Sequence, residues 1–336
     1  MKKFFALILA LAMALSLVAC GGGSSTDNGS GDGATTKMRF VTGGESGTYY
    51  AFGSVIAQHA TNNAGIDVVG LVGNGSQSNV QELQDGNAEL AFCQSDVMAY
   101  AYNGTNIFAD HGKVDCFSTV AALYMEQVQI VTVDPTIKTV DDLAGKKVSV
   151  GAAGSGVYFN AKDILTAYGL GDVNENDEFT QINATYQSFG DSANDLKDGK
   201  IDAAFVVAGA PTPAITELCT TNSAYLVPID GAVADAMMAS CPFYTTYQIP
   251  AGTYPGQDED VTTVTVKATL IVSASASEDD VYKLTAAIFD NAADIAKENG
   301  KGAELSLENA TTGMTAPFHK GAAKYFAEKG ITVDAQ

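Results

Sequence analysis

The chain carries one local pattern twice, in the same order and at nearly the same spacing. Ser46-Gly47-Thr48-Tyr49-Tyr50 matches Ser155-Gly156-Val157-Tyr158-Phe159, an offset of 109 residues. Further on, Leu83-Gln84-Asp85-Gly86-Asn87-Ala88-Glu89-Leu90-Ala91-Phe92 matches Leu196-Lys197-Asp198-Gly199-Lys200-Ile201-Asp202-Ala203-Ala204-Phe205, an offset of 113. One short glycine-containing match arises easily by chance. Two ordered matches at one spacing mark an internal repeat, so the body of the chain is built from two related halves.

Each half begins as a strand, a turn and a helix. Met38-Arg39-Phe40-Val41 reads as a strand, Thr42 to Gly47 as a glycine-rich turn, and Thr48 onward as a helix running through Phe52, Val55, Ile56 and His59. In the second half Lys147 to Val150 is the strand, Gly151 to Gly156 the turn, and Val157 onward the helix through Phe159, Ile164 and Leu165. The glycine of each Asp-Gly pair sits where a helix ends and the backbone must turn left-handed, and the run after it reads as a buried strand. Such βα units have parallel strands and build an open α/β sheet with helices on its faces. In sheets of this kind ligands bind beyond the carboxyl ends of the strands. That rule selects Thr42 to Tyr49, Cys93-Gln94-Ser95-Asp96, Gly151 to Val157, and Val207-Ala208-Gly209-Ala210-Pro211. Two halves presenting such edges to each other make a cleft.

A helix that starts after a glycine-rich turn has unpaired N–H groups and a partial positive charge at its first turn, and both favour an anion. A hydrogen bond to a charged group contributes about 1.5 to 3 kcal/mol and a helix end about 0.3 to 2. A few from each half approach the roughly −8 kcal/mol of micromolar affinity. No arginine is needed. The single arginine, Arg39, stands just before an apolar strand, at the surface. The candidate contacts are Ser46, Gly47, Thr48, Tyr49, Gln94, Ser95, Gly154, Ser155, Gly156, Val157 and Gly209. Asn74 and Ser76 join them from the segment after the apolar strand Val68 to Val72, where Ser76 or Ser78 serves equally well as a helix cap. Tyr49 and Tyr158 read either as core aromatics or as phenol donors. Tyr124, also a candidate contact, falls with Glu126 where the first half hands over to the second.

The ends and the charge bound the function. Met1-Lys2-Lys3 precedes an apolar run, Phe4 to Ala19, that is shorter than the roughly 20 residues spanning a bilayer core. This reads as a signal peptide, and Leu17-Val18-Ala19-Cys20 resembles a lipobox, with Cys20 as the lipidation site. Gly21 to Lys37, small and polar throughout, reads as a flexible tether of roughly 20 to 25 Å mean span. The expected division is 1–20 signal peptide, 21–37 tether, 38–126 first lobe, 127–246 second lobe, and 247–336 the return to the first lobe with C-terminal helices. No later segment is apolar enough to re-enter a membrane. Eighteen Lys and Arg against 39 Asp and Glu give a formal charge of −21, which argues against a nucleic-acid partner.

Chemistry-bearing motifs are missing. Gly154-x-Gly156 lacks the third glycine of a dinucleotide fingerprint, no Lys-Ser/Thr pair completes a phosphate loop, and no Gly-x-Ser-x-Gly elbow has a histidine partner. Cys93, Cys116, Cys219 and Cys241 match no metal spacing, and their pairing stays open. His59, His111 and His319 are scattered. Neither catalysis nor a cofactor is implied.

Further runs complete a family likeness: Thr42-Gly43-Gly44 leading to Gly47-Thr48-Tyr49-Tyr50, Gln94-Ser95-Asp96-Val97, Asp142-Leu143-Ala144-Gly145-Lys146-Lys147-Val148 leading to Gly154-Ser155-Gly156, Ile249-Pro250-Ala251-Gly252-Thr253-Tyr254, and His319-Lys320-Gly321-Ala322. At these residues the chain resembles the TAXI family, the solute-binding components of a class of TRAP transporters. The resemblance implies a two-lobed periplasmic-binding-protein fold of type II kind and a small carboxylate ligand such as glutamate, glutamine or a dicarboxylate. It also implies an ion-driven membrane permease as partner and an extracytoplasmic, lipid-anchored location. The contacts it carries over are the Ser46 to Tyr49 turn, Gln94 and Ser95, and the Gly154 to Val157 turn. The chain departs from the pattern at Glu45, where the family often has glycine or threonine, and at Ala51, where it often has proline. A carboxylate at Glu45 repels a dicarboxylate unless it points to solvent or pairs with an ammonium, and Glu126 and Asp96 raise the same possibility.

Overall fold

The computed structural model describes residues 36–110 and 112–336. The expected signal peptide with Cys20, the expected tether up to residue 35, and His111 lie outside the described residues. The first lobe contains β1 (Lys37–Val41), α1 (Thr48–Ala64), β2 (Asp67–Leu71), α2 (Ser76–Gln84), β3 (Leu90–Gln94) and α3 (Ser95–Asn103). The long strand β4 (Phe117–Thr132) then runs into the second lobe. That lobe holds β5 (Lys147–Ser149), α4 (Val157–Ala167), β6 (Asn183–Thr185), α5 (Phe189–Lys197), β7 (Ala203–Ala208), α6 (Pro213–Thr221), β8 (Tyr225–Val227), α7 (Gly231–Ser240) and β9 (Thr245–Ile249). Strand β10 (Val261–Ser273) returns to the first lobe, where α8 (Glu278–Phe289), α9 (Ala292–Glu298), α10 (Leu307–Thr311) and α11 (Lys320–Glu328) complete it.

Both expected βα units form. Strand β1 pairs in parallel with β2 and β3, and β5 pairs in parallel with β6 and β7. Helix α1 turns Tyr49, Phe52, Ile56 and Ala60 to the core at helical spacing, and Gly65 ends it at φ 68°. The two Asp-Gly pairs also behave alike: Gly86 and Gly199 have φ of 70° and 66°, where a side chain would be strained.

The repeat gave no sign of the antiparallel ladders. The ten strands run β2-β1-β3-β10-β4-β7-β5-β6, with β8 beside β4 and β9 beside β10. Strands β4 and β10 are antiparallel to each other and serve both lobes. The early residues of β4 face β10, and Gln127 to Thr132 face β7. In β10, Val261 to Thr265 pair with β9 and Ala268 to Val272 with β3, so the chain re-enters the first lobe inside this strand. Its sixteen residues let β4 span about 50 Å, enough to thread two cores. One core gathers Phe40, Phe52, Phe92, Tyr124, Leu270, Ile288 and Phe326, and the other Ile130, Val148, Ile164, Phe205, Val227 and Val266.

Candidate functional site

The carboxyl ends of β1, β2, β5, β6 and β7 come together around one cavity of about 250 Å³. The turn Gly43 to Gly47 leads into α1, and Val72 to Gly75 leads into α2. From the second lobe Gly156 leads into α4, and Gln187 and Ser188 lead into α5. Four helices therefore begin on the cavity wall, two from each lobe. Helices α1, α2 and α4 start after Gly47, Gly75 and Gly156, and none has a side-chain cap or an acidic residue in its first turn. Their first amides, apart from that of Ser78 in α2, which donates to the Gly154 carbonyl, have no acceptor within their own helices, and their dipoles favour a negative one in the cavity.

Two buried polar atoms on this wall strengthen that reading. Gln94 Oε1 and Ser155 Oγ have no hydrogen-bond partner, although Gln94 is 2 % and Ser155 5 % exposed. An orphaned buried group costs about 1 to 3 kcal/mol, and a solute in the cavity is the natural partner for both.

The lobes close on each other through polar contacts beside the cavity. Gln94 Nε2 donates to Asn160 Oδ1 at 2.9 Å, and Asn160 Nδ2 donates to Asp96 Oδ2 at 2.9 Å and to Tyr244 Oη at 2.8 Å. Tyr244 Oη donates to Asp163 Oδ2 at 2.9 Å. The amide of Ser78 donates to the Gly154 carbonyl at 2.9 Å, and Thr48 Oγ1 donates to the Gly209 carbonyl at 3.0 Å. The approach is tight at Gly156, where an added Cβ would lie 1.5 Å from Gln94 Oε1.

The cavity's electrostatics are acidic. Among the described residues its only ionisable carboxyls are Glu45 and Glu126, and no lysine, arginine or histidine lines it. Burial pushes the Glu126 carboxyl up to about 8, although Tyr49 Oη donates to its Oε2 at 2.7 Å and favours the charged form. Burial likewise raises Asp96, beneath the cleft, to about 7, aided by the nearby charge of Asp163.

Ten of the fourteen expected contacts line the cavity: Ser46, Gly47, Thr48, Tyr49, Asn74, Ser76, Gln94, Ser155, Gly156 and Val157. The other four stand behind it. Ser95 Oγ accepts from the Lys267 amide at 3.2 Å. Tyr124 is buried in the first core against Phe52 and Phe92. Gly154 and Gly209 supply the interlobe carbonyls described above. Ser76 neither caps α2 by its side chain nor stands free, because its Oγ accepts from the Gln94 amide at 3.0 Å. Arg39 lies away from the site, paired with Glu89 at the surface. Cys93, Cys116, Cys219 and Cys241 are free thiols, and the described residues contain no metal-binding cluster and no helix long and apolar enough to cross a membrane.

Sequence reasoning missed the segment Gln187 to Gly190, which starts α5 on the cavity wall. The signal was present. Carried back along the chain, the 113-residue offset pairs Ser76 with Phe189 and Asn74 with Gln187, so α2 and α5 begin at equivalent places. Glu126 reads from the sequence as a residue of the crossing and, with Asp96, as a possible partner of an ammonium, but not as part of the cavity wall. An acid inside the apolar run Val120 to Val131 was the available clue.

Two α/β lobes joined by crossing strands, with a cavity at the strand ends between them, define the two-lobed periplasmic-binding-protein fold. The chain belongs to the NMT1-like family, whose model matches residues 40–330. Its fold is similar to that of a putative L-cystine ABC transporter protein from Listeria monocytogenes, at 17 % identity and a TM-score of 0.50, covering 81 % of this chain and 98 % of that one. A second solved structure, described as a periplasmic transporter, is similar at 15 % identity and a TM-score of 0.51, covering 88 % and 93 %.

Proposed function

We propose that the chain is the extracytoplasmic solute-binding subunit of a membrane transporter, holding a small carboxylate solute between its lobes and presenting the closed form to a permease. The observation that carries this reading is the convergence of uncapped helix starts from both lobes on one cavity beside the orphaned Gln94 Oε1 and Ser155 Oγ. A solute bonded to α1 and α2 on one side and to α4 on the other binds the closed form better than an open one. Only such differential affinity shifts the balance toward closure. Binding without turnover belongs to the same reading, as does a lipid anchor at Cys20.

The resemblance to TAXI proteins supports an ion-driven TRAP permease as partner. The fold likeness to a protein described as an ABC transporter supports, at least equally, delivery to an ATP-driven importer. Thermal unfolding of the purified full chain against amino, monocarboxylic and dicarboxylic acids tests the solute class, and a flat panel overturns it. Recovery of the solute unchanged after long incubation separates binding from catalysis. Uptake in vesicles energised by an ion gradient alone, or by ATP alone, separates the two partners.

A further inference from the structure

The cavity holds two unlike recognition elements. The helix starts on its wall suit a carboxylate, whereas the acid on its floor suits the opposite charge. Glu126 is 2 % exposed and lines the cavity. Tyr49 Oη occupies Oε2, and among the described residues nothing donates to Oε1. The hydroxyl that holds Glu126 belongs to the residue whose backbone stands second in α1, and the Tyr49 ring is itself fixed by stacking on Phe92 with centroids 4.5 Å apart and planes 6° apart. One rigid side chain thus sets the separation between an amide-rich helix start and a buried carboxyl. The remaining wall includes the apolar side chains of Val72, Val157, Phe189, Val207 and Ala208 and the polar ones of Asn74, Gln187 and Ser188.

We propose that Glu126 is the specificity-determining residue of the cavity, and that it selects an amino-acid zwitterion with an uncharged side chain, binding its ammonium while the helix starts bind its carboxylate, and rejects dicarboxylates. The proposal rests on the reading of the cavity as a solute site and narrows it. A second carboxylate set beside Glu126 or against these apolar side chains is costly. An ammonium gives Glu126 Oε1 a charge-assisted partner.

Protonation gives the idea a second readout. Burial pushes the carboxyl up to about 8, which favours its neutral form at pH 7, and an ammonium beside it favours the ionised form and expels the proton. The charged and titratable groups that face it are Tyr49 on α1, Tyr124 on its own strand, Asp96 on α3, Cys93 on β3, and Lys301 before α10. Lys301 alone among them is cationic, and its Nζ is taken by Glu304 at 2.7 Å.

Isothermal calorimetry on the purified full chain tests this with alanine, valine, leucine and glutamine. Each runs beside its des-amino counterpart, with succinate and malate as dicarboxylates. The proposal expects the best amino acid to bind about 10- to 100-fold more tightly than its des-amino form, with release of up to one proton at pH 7 read from buffers of different ionisation enthalpy. In Glu126→Gln, checked for an unchanged fold by its thermal transition, the preference for the amino group and the proton release both disappear. Equal binding of the des-amino acids to the native chain, or tightest binding of a dicarboxylate, overturns the proposal and leaves the carboxylate reading intact. Failure of every compound to bind overturns both.

Discussion

Gln94 Nε2 donates a hydrogen bond across the cleft to Asn160 Oδ1 at 2.9 Å, and the same amide's oxygen lies 1.5 Å from where a Cβ on Gly156 would sit. A Cβ at residue 156 would push the Gln94 amide out of this cross-cleft bond and crowd Ser76 Oγ. Gly156 has φ −68° and ψ −24°, ordinary helical values that alanine adopts freely. Gly156→Ala accordingly leaves each lobe folded and blocks their closure. The expected result is at least a 100-fold loss of solute affinity with a melting temperature within a few degrees of native, measured by calorimetry and thermal unfolding.

Ser155 tests the second lobe's part in anion binding without disturbing its backbone. Its buried Oγ has no partner in the protein, so Ser155→Ala removes a donor to the solute and nothing else. A hydrogen bond to a charged group contributes about 1.5 to 3 kcal/mol, which is about a 10- to 150-fold weakening. The chain without solute should become slightly more stable in urea, since an orphaned hydroxyl is removed.

The acids beneath the cleft make stability depend on pH. Burial pushes Asp96 up to about 7 and Glu126 up to about 8, above the unfolded values near 4. The folded state therefore binds the extra protons, and stability is highest below pH 4 as far as these groups are concerned. It falls between pH 4 and 8 by at most about 1.4 kcal/mol per pH unit for each group. Urea midpoints measured from pH 5 to 8 should decline, and Asp96→Asn should flatten the lower part of that decline.

Packing away from the cleft is separable from binding. Phe52 is fully buried, with its ring edge-on to Tyr124 at 5.5 Å and 85°. Phe52→Ala should cost about 3 to 5 kcal/mol of stability and change solute affinity less than threefold where the chain remains folded.

Much of this was legible because the repeat fixes backbone events that depend on local chemistry. Gly47 and Gly156 start helices, Gly86 and Gly199 end them, and the sheet rule then assigns the cavity to the neighbouring strand ends. Ser95 and Tyr124 stand behind the cavity for different reasons: Ser95 opens α3 with its hydroxyl turned to the Lys267 amide, while Tyr124, two residues before Glu126 along β4, packs into the first core against Phe52 and Phe92. The pairing of Asn160 with Gln94 and Asp96 joins positions more than sixty residues apart, a distance no local pattern reports. The crossing of β4 and β10 was hidden for a related reason: a strand that threads two cores stays apolar through the boundary, with only Glu126 and the glutamines after it to mark the passage.

The most direct measurement is a crystal structure of the chain with its solute bound. The account predicts a carboxylate within about 2.7 to 3.2 Å of backbone amides at the start of α1 and at the start of α4, with Ser155 Oγ as a further donor. A solute held by one lobe alone, or lodged outside this cavity, would contradict it.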